Sequence, residues 1–299
     1  MKPKLDFLPP EQGFLGLPLR ETGPKGKGDI AVIPFGLEAT VSYGGGTAQG
    51  PQAILDASHQ VELFDEELWC EPVRAFSLAT HAPVLPDHGL ARALEQIAHI
   101  VQMCLDRDLF PLVLGGEHTV SIGAARPFLK RHSDLVILQF DAHADLRDDY
   151  EGNRFSHAAA MRRLLDAPGA SLVSLGIRSL SAAEAEIIDG SADRVQLHLS
   201  RDRRNWDLEK IISFIGNRPV YLTFDVDVLD PAVMPSTGTP EPGGLTYEEI
   251  LDCLRPVARK CRIVGADFVE LAPVKGRHAP DFMVARLIYK LLSYMFAKG

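Results

Sequence analysis

Three short stretches of this sequence concentrate side chains that bind divalent metals. Gly115-Gly116-Glu117-His118 ends on a histidine, Asp141-Ala142-His143-Ala144-Asp145 alternates three candidate ligands with two alanines, and Asp225-Val226-Asp227 alternates two carboxylates. Residues two apart point the same way while a chain is extended, so each run offers its polar groups to one side. Four aspartates brought together would repel unless protons or cations neutralised them. A pair of divalent cations would do so, with His118 and His143 completing the coordination. An oxygen-rich set with some imidazole suits manganese better than zinc, which prefers nitrogen and sulfur. The Asp-x-His-x-Asp run is the most specific of the three. A lone GGEH reads by default as a core or capping histidine, and Asp-x-Asp after a strand is common as a helix cap or magnesium ligand.

Each cluster follows a run predicted to be a buried strand: Pro111–Leu114, Leu135–Phe140 and Val220–Phe224. Further strands are predicted at 30–34, 73–78, 171–175, 194–197 and 262–268. Several are apolar on both faces, the pattern of a parallel sheet covered on each side. Between them lie amphipathic segments, among them Leu94, Ile97, Val101 and Leu105 at helical spacing. Ser181 with Glu184 and Thr246 with Glu249 read as capping boxes, and a last helix is predicted from about Asp281 to Phe296. Unbroken strand–helix alternation argues for a single doubly wound α/β/α domain over residues 29–299, after an irregular arm rich in Pro, Gly and Lys over residues 1–28. In such sheets ligands bind at the carboxyl ends of the strands, where all three clusters fall. The longest patternless stretch, Leu229–Leu245, follows the third cluster, and long loops inside compact domains are usually functional.

Composition narrows the function classes. The 299 residues are 46% hydrophobic and 24% charged, with a formal net charge of −9. That charge disfavours nucleic acid and anionic membranes as partners. Two divalent cations would bring the balance to about −5, so part of the acidity is explicable as a metal site. Cys70, Cys104, Cys253 and Cys261 have no metal spacing and read as reduced thiols of a cytoplasmic protein. The N-terminus has no apolar core of a signal peptide, and Lys290 interrupts the most apolar tail, which is too short to span a bilayer. The Gly44–Gly50 stretch lacks the Gly-Lys-Ser/Thr of a phosphate loop.

The segments LGGEHTV, QFDAHADLR and FDVDVLDPAVMPSTGTPEPGGL resemble the three signatures of the ureohydrolases, the arginase/agmatinase family. The resemblance runs from about Ile30 to the last helix. Through VSYGGGTAQGP, VELFDEEL and YEGNRFSHAAAMRR the sequence is most similar to the agmatinase branch. The resemblance implies a three-layer α/β/α sandwich around an eight-stranded, mostly parallel sheet, and two Mn2+ per chain. His118, Asp141, Asp145 and Asp225 would hold one ion; His143, Asp141, Asp225 and Asp227 would hold the other. It assigns catalytic roles to His157, Glu270 and Asp145. His157 would be the proton shuttle, and Glu270 the carboxylate clasping a guanidinium that Thr239 helps support. The implied reaction is hydrolysis of a small cationic guanidino substrate to urea and an amine, by a homotrimer or homohexamer.

Which guanidine is read from departures. Arginases follow Asp-x-His-x-Asp with an Asn and a Ser that bind the amino-acid carboxylate. Here Leu146-Arg147-Asp148-Asp149-Tyr150 follows, which argues against arginine. The spacing of Tyr150, Gly152, Ser156 and His157 suits agmatinases, so agmatine, giving putrescine in polyamine biosynthesis, is the expected substrate. Ser236 stands where that branch often has glycine, and the residues after Glu270 depart from the best-known agmatinases, which keeps guanidinobutyrate and guanidinopropionate as alternatives. Lys275, Arg277 or His278 would favour an anionic tail if they reached the pocket. Two other classes are weighed. A non-catalytic binding relative would be expected to have lost ligands, and a dinuclear phosphoesterase would need a cationic cluster beside the motifs.

Overall fold

The computed structural model describes residues 5–17 and 29–297. Eight strands form one sheet: β1 (Asp29–Phe35), β2 (Ser77–Thr80), β3 (Phe110–Gly115), β4 (Val136–Phe140), β5 (Ser171–Ile177), β6 (Val195–Leu199), β7 (Pro219–Asp225) and β8 (Arg262–Val269). Their order is β2-β1-β3-β8-β7-β4-β5-β6. Every pairing is parallel, so the mostly parallel sheet expected from the sequence is wholly so. The reason is connectivity: each strand is followed by a helical crossover, which returns the chain to the edge where it began. The crossovers are α1 (Gly50–Ser58), α2 (Leu90–Leu105), α3 (Val120–Arg131), α4 (Ala160–Leu165), α5 (Ala182–Asp189), α6 (Leu208–Ile215) and α7 (Tyr247–Lys260), with α8 (Ala279–Phe296) closing the chain.

The helices cover both faces. Apolar residues of α1, α6, α7 and α8 form one core with the sheet, and those of α2, α3 and α4 form the other, giving three layers. The stripe Leu94, Ile97, Val101 and Leu105 is buried against the second face. Both capping boxes close as expected, Ser181 with Glu184 opening α5 and Thr246 with Glu249 opening α7. One strand differs from expectation. Residues 72–75 form a 3-10 turn with Pro72 in its first turn, so β2 begins only at Ser77 and is a short edge strand. Of the arm expected over residues 1–28, residues 1–4 and 18–28 lie outside the described residues. Within it, Phe14, Leu15 and Leu17 are buried in the first core.

Strand order places the chemistry. The consecutive strands β3 and β4 are separated in space by β8 and β7, which enter late in the chain. The four central strands are therefore β3, β8, β7 and β4, and their carboxyl ends carry His118, Glu270, Asp225/Asp227 and Asp141/His143/Asp145 respectively. Phe140, Phe224 and Phe268 are paired across β4, β7 and β8, with ring centroids 5.5 and 5.0 Å apart. These stacked rings lie one residue below the first aspartates and form a dry floor under the polar groups.

Candidate metal centre and its cleft

All six sequence-predicted ligands converge. His118 Nδ1 lies 3.0 Å from carboxylate oxygens of Asp141 and Asp145 and 3.4 Å from Asp225. His143 Nδ1 lies 2.9 Å from Asp227 and 3.6 Å from Asp141. Two sets of ligand atoms, His118/Asp141/Asp145 and Asp141/His143/Asp227, each fall within 4.8 Å of one another and could hold a metal ion. Asp141 belongs to both. Its Oδ2 faces His118 and its Oδ1 faces His143, the disposition of a bridging carboxylate. Asp225 joins the first set through Oδ2, while its Oδ1 accepts the Asp227 N–H at 2.8 Å.

Local structure explains the convergence. Gly116 passes so close to Leu37 that an added Cβ would sit 2.1 Å from the Leu37 carbonyl oxygen, so only glycine lets GGEH turn there. Asp145 and Glu270 have left-handed backbones, φ 52° and 66°. That conformation costs of order 1–3 kcal/mol in a non-glycine residue and is concentrated at functional sites. Asp141 is held by Gln139, whose amide donates to Oδ2 at 2.8 Å and is itself fixed by the Ser174 hydroxyl at 2.6 Å.

His118 is oriented from behind. Thr223 Oγ1 donates to Asp267 Oδ1 at 2.6 Å and so accepts from His118 Nε2 at 2.8 Å. Tyr221 donates to the other Asp267 oxygen at 2.6 Å. The Nε2 proton is thereby fixed, and Nδ1 is the atom turned toward the aspartates. Nδ1 has no hydrogen-bond partner of its own, although it is fully buried. It converges on three carboxylates at once without a well-directed hydrogen bond to one of them, a disposition that suits a metal ligand.

Electrostatics agree. Burial pushes Asp225 well above the carboxylate range, with Asp227 and Asp141 adding to it. Burial opposes charge on His143, yet Asp227 and Asp141 raise it to about 12. Charge balance in such a cluster demands protons or metal cations, and oxygen and imidazole donors in this ratio fit divalent cations.

The ligands open into a cleft of about 180 Å³ that Glu270, His157 and Thr239 also line. Glu270 is 8% exposed and accepts the His118 N–H at 2.6 Å. Burial raises its pKa to about 8, opposed by that hydrogen bond and aided by Glu117. His157 lines the same cleft, edge-on to Tyr150 with centroids 5.9 Å apart. Thr239 has no hydrogen bond to Glu270 among the described residues. The exposed Lys275, Arg277 and His278 stand outside the cleft, so they do not read a substrate tail there. Arg163 is buried and pairs with Asp148 at 2.7 Å, tying down the loop before His157.

Sequence reading missed the supporting groups Thr40, Glu117, Gln139, Arg178, Thr223 and Asp267. Three carried a signal. Gln139, Thr223 and Asp267 are polar residues inside strand runs otherwise apolar on both faces, and such residues must have partners. Arg178 carried none. Its guanidinium donates to six backbone carbonyls, including those of Asp227 and Glu241, and so clamps both ends of the long loop after β7.

Fold and site together define a parallel α/β protein with a histidine- and carboxylate-rich cluster, able to hold metal ions, at the carboxyl ends of its central strands. The arginase-family model matches residues 28–293, and the chain belongs to that family. An agmatinase of Bacillus cereus is 40% identical over 251 residues, covering 82% of this chain and 84% of the relative. An N(1)-aminopropylagmatine ureohydrolase of Synechocystis is 37% identical over 275 residues, covering 89% and 88%. Among solved structures, the agmatine ureohydrolase of Thermoplasma volcanium superposes with a TM-score of 0.81 at 26% identity, covering 95% of this chain and 94% of that one.

Proposed function

We propose that this protein hydrolyses a guanidino compound to urea and an amine, with agmatine yielding putrescine as the favoured reaction and two Mn2+ as cofactor. The observation that carries the reading is the convergence of His118, His143 and four aspartates beside Glu270 in one cleft. One ion would be held by His118, Asp141, Asp145 and Asp225, and the other by His143, Asp141, Asp225 and Asp227. Bound there, the pair supplies the Lewis acidity that makes water a competent nucleophile near neutral pH.

The chain's own residues do the rest. Glu270, rigidly held by the His118 N–H, pairs with the planar guanidinium and orients its carbon; such a pair gives geometry as well as energy. His157, lining the same cleft, delivers a proton to the departing amine, because an amide anion does not leave unprotonated. Asp145, held by a left-handed backbone, belongs to the ligand cluster and also lines the cleft. Thr239 closes the wall beside Glu270. The six intact ligands speak against a non-catalytic relative. Among the described residues that line the cleft Arg147 is the one arginine or lysine, too little to cradle a phosphodiester.

Agmatine is favoured by the Bacillus cereus relative, by the absence of the Asn and Ser that would bind an amino-acid carboxylate, and by the placement of Lys275, Arg277 and His278 outside the cleft. The Synechocystis relative supports a second reading, the longer N(1)-aminopropylagmatine. A homotrimer or homohexamer acting in the cytoplasm and supplying polyamine synthesis fits either reading. Among the described residues no helix is long and apolar enough to cross a membrane. The test is urea release by the Mn2+-loaded enzyme from agmatine, N(1)-aminopropylagmatine, guanidinobutyrate, guanidinopropionate and arginine. Agmatine is expected to give the highest kcat/KM. Preference for a carboxylate-bearing guanidine would overturn the substrate, and no urea from any would overturn the reaction.

A further inference from the structure

Glu117 is fully buried beside a metal ligand, yet it points away from the aspartates. Its Oε2 accepts the N–H groups of Ala39 and Thr40 at 2.9 and 2.6 Å, and its Oε1 accepts the Thr40 hydroxyl at 2.9 Å. Thr119 Oγ1, a neutral hydroxyl, lies 3.1 Å away; the charged carboxylate is the nearer and stronger acceptor for the one Thr40 proton, which leaves Oγ1 as an acceptor. It takes the His157 backbone N–H at 3.0 Å and lies 3.2 Å from His157 Nδ1. The opposite ring nitrogen, Nε2, faces Ser42 Oγ at 3.4 Å on the cleft side.

We infer that Glu117 and Thr40 form a positioning relay that keeps a proton on His157 Nδ1 throughout and leaves Nε2 as the atom that takes up a proton from solvent, giving the imidazolium, and then passes that proton to the leaving amine, returning to the Nδ1–H tautomer. The logic is that of a carboxylate orienting an imidazole, here with a threonine hydroxyl between them. The hydroxyl of Ser156, 3.4 Å from Nδ1, is the competing contact, but it also accepts the Ala158 N–H and lies farther than Thr40. The other polar groups facing the ring are Tyr150 and, across the cleft, Arg147, His143, Asp145 and Glu270. None of these is within hydrogen-bond distance of Nδ1, and Ser42 at Nε2 can donate as readily as accept, so Thr40, which can only accept, decides the tautomer. The relay also explains why the turn after β1 is tied to the turn after β3: Glu117 N–H donates to the Leu37 carbonyl at 2.8 Å, bringing Thr40 under the histidine.

The inference rests on the reading of His157 as proton donor to the leaving amine, and the experiment separates the two. The enzyme is labelled with 15N-histidine and loaded with diamagnetic Mg2+ for the spectra, since Mn2+ would broaden the His157 signals, which are assigned by their loss in His157→Gln; Thr40→Val and Thr40→Ser are compared at equal metal content, with kinetics on the Mn2+ forms. In the parent, neutral His157 should show a protonated Nδ1 and an unprotonated Nε2. Thr40→Val, nearly the same shape without the hydroxyl, should shift the population toward protonated Nε2. It should lower kcat by about 10- to 100-fold, part of what a positioned acid contributes, with KM nearly unchanged. Thr40→Ser should restore both. An unchanged tautomer in Thr40→Val, or a serine variant as impaired as the valine one, overturns the relay. A parent enzyme that releases urea while His157→Gln matches its kcat would instead overturn the proton-donor reading, leaving the tautomer result to decide the relay.

Discussion

Replacing Thr223 with valine tests how the site holds its first histidine. The substitution keeps shape and removes one oxygen, which accepts from His118 Nε2 at 2.8 Å and donates to Asp267 at 2.6 Å. Both partners are buried, and water has no room to replace the hydroxyl. Stranding a buried polar group costs about 1–3 kcal/mol. Two are stranded, but Ser121 Oγ, 3.3 Å from Thr223 Oγ1, is placed to recover part of the Asp267 loss. The expected destabilisation is therefore about 2–4 kcal/mol, read as a lower urea midpoint at unchanged slope. The functional loss is separate. Without an acceptor at Nε2 the imidazole can rotate or change tautomer, and removing such an outer partner typically weakens metal binding by about 10- to 100-fold. Activity titrated with Mn2+ should show its midpoint moved up by that factor, while saturating metal restores most of kcat. A Thr223→Val enzyme with the parental metal titration would refute the claim that this hydroxyl orients His118.

Other substitutions probe other links. Asp141→Asn, which alters the carboxylate shared by both ligand sets, should lower kcat by at least about a hundredfold and reduce metal content, measured by elemental analysis. Glu270→Gln should raise KM for agmatine and lower kcat/KM by about 10²-fold or more, since an amide no longer offers a charge to the guanidinium; steady-state kinetics decide it. Arg178→Met should lower stability by about 2–4 kcal/mol by releasing the carbonyls of the loop after β7, seen as a lower Tm with a weaker metal titration. Lys290→Met should cost about 3–5 kcal/mol, because it leaves Asp65 buried without its cation 2.9 Å away. Burial opposes charge on Asp65, but the Leu68 N–H and Lys290 hold its pKa below the usual value. The stabilisation is thus present above the ordinary carboxylate pKa and lost as pH falls through the folded value, so parent and variant should converge in stability at acid pH.

Much of this was legible in the chain, for reasons that differ by element. The strands under the site were visible because a parallel strand buried on both faces leaves a continuous apolar run, as in Val220–Phe224. Five of the six candidate ligands were visible as alternations, Asp141/His143/Asp145 and Asp225/Asp227, although the backbone that brings them together is not simply extended: Asp145 is left-handed and Val226–Val228 forms a 3-10 turn. β2 was misplaced by several residues, since Val73 is apolar whether it packs from a 3-10 turn or from a strand, and Pro72 decided for the turn. The strictly parallel order was not readable, because pairing partners such as Leu114 and Phe268 lie far apart in sequence. The same separation hid the supporting groups. Thr40 meets Glu117 and His157 only after β1 and β3 are paired, and Arg178 finds its six carbonyls only once the long loop has folded over it. Polar interruptions at Gln139, Thr223 and Asp267 are the part of this shell that a closer reading of the strand runs would have flagged.

The most direct test of the account is to strip the enzyme of metal, add Mn2+ stepwise, and follow urea release from agmatine together with bound metal. Activity should be absent in the stripped protein and rise to a plateau as occupancy approaches two ions per chain. Urea release at full rate without bound divalent cations, or metal bound at that stoichiometry with no guanidine hydrolysed, would contradict it.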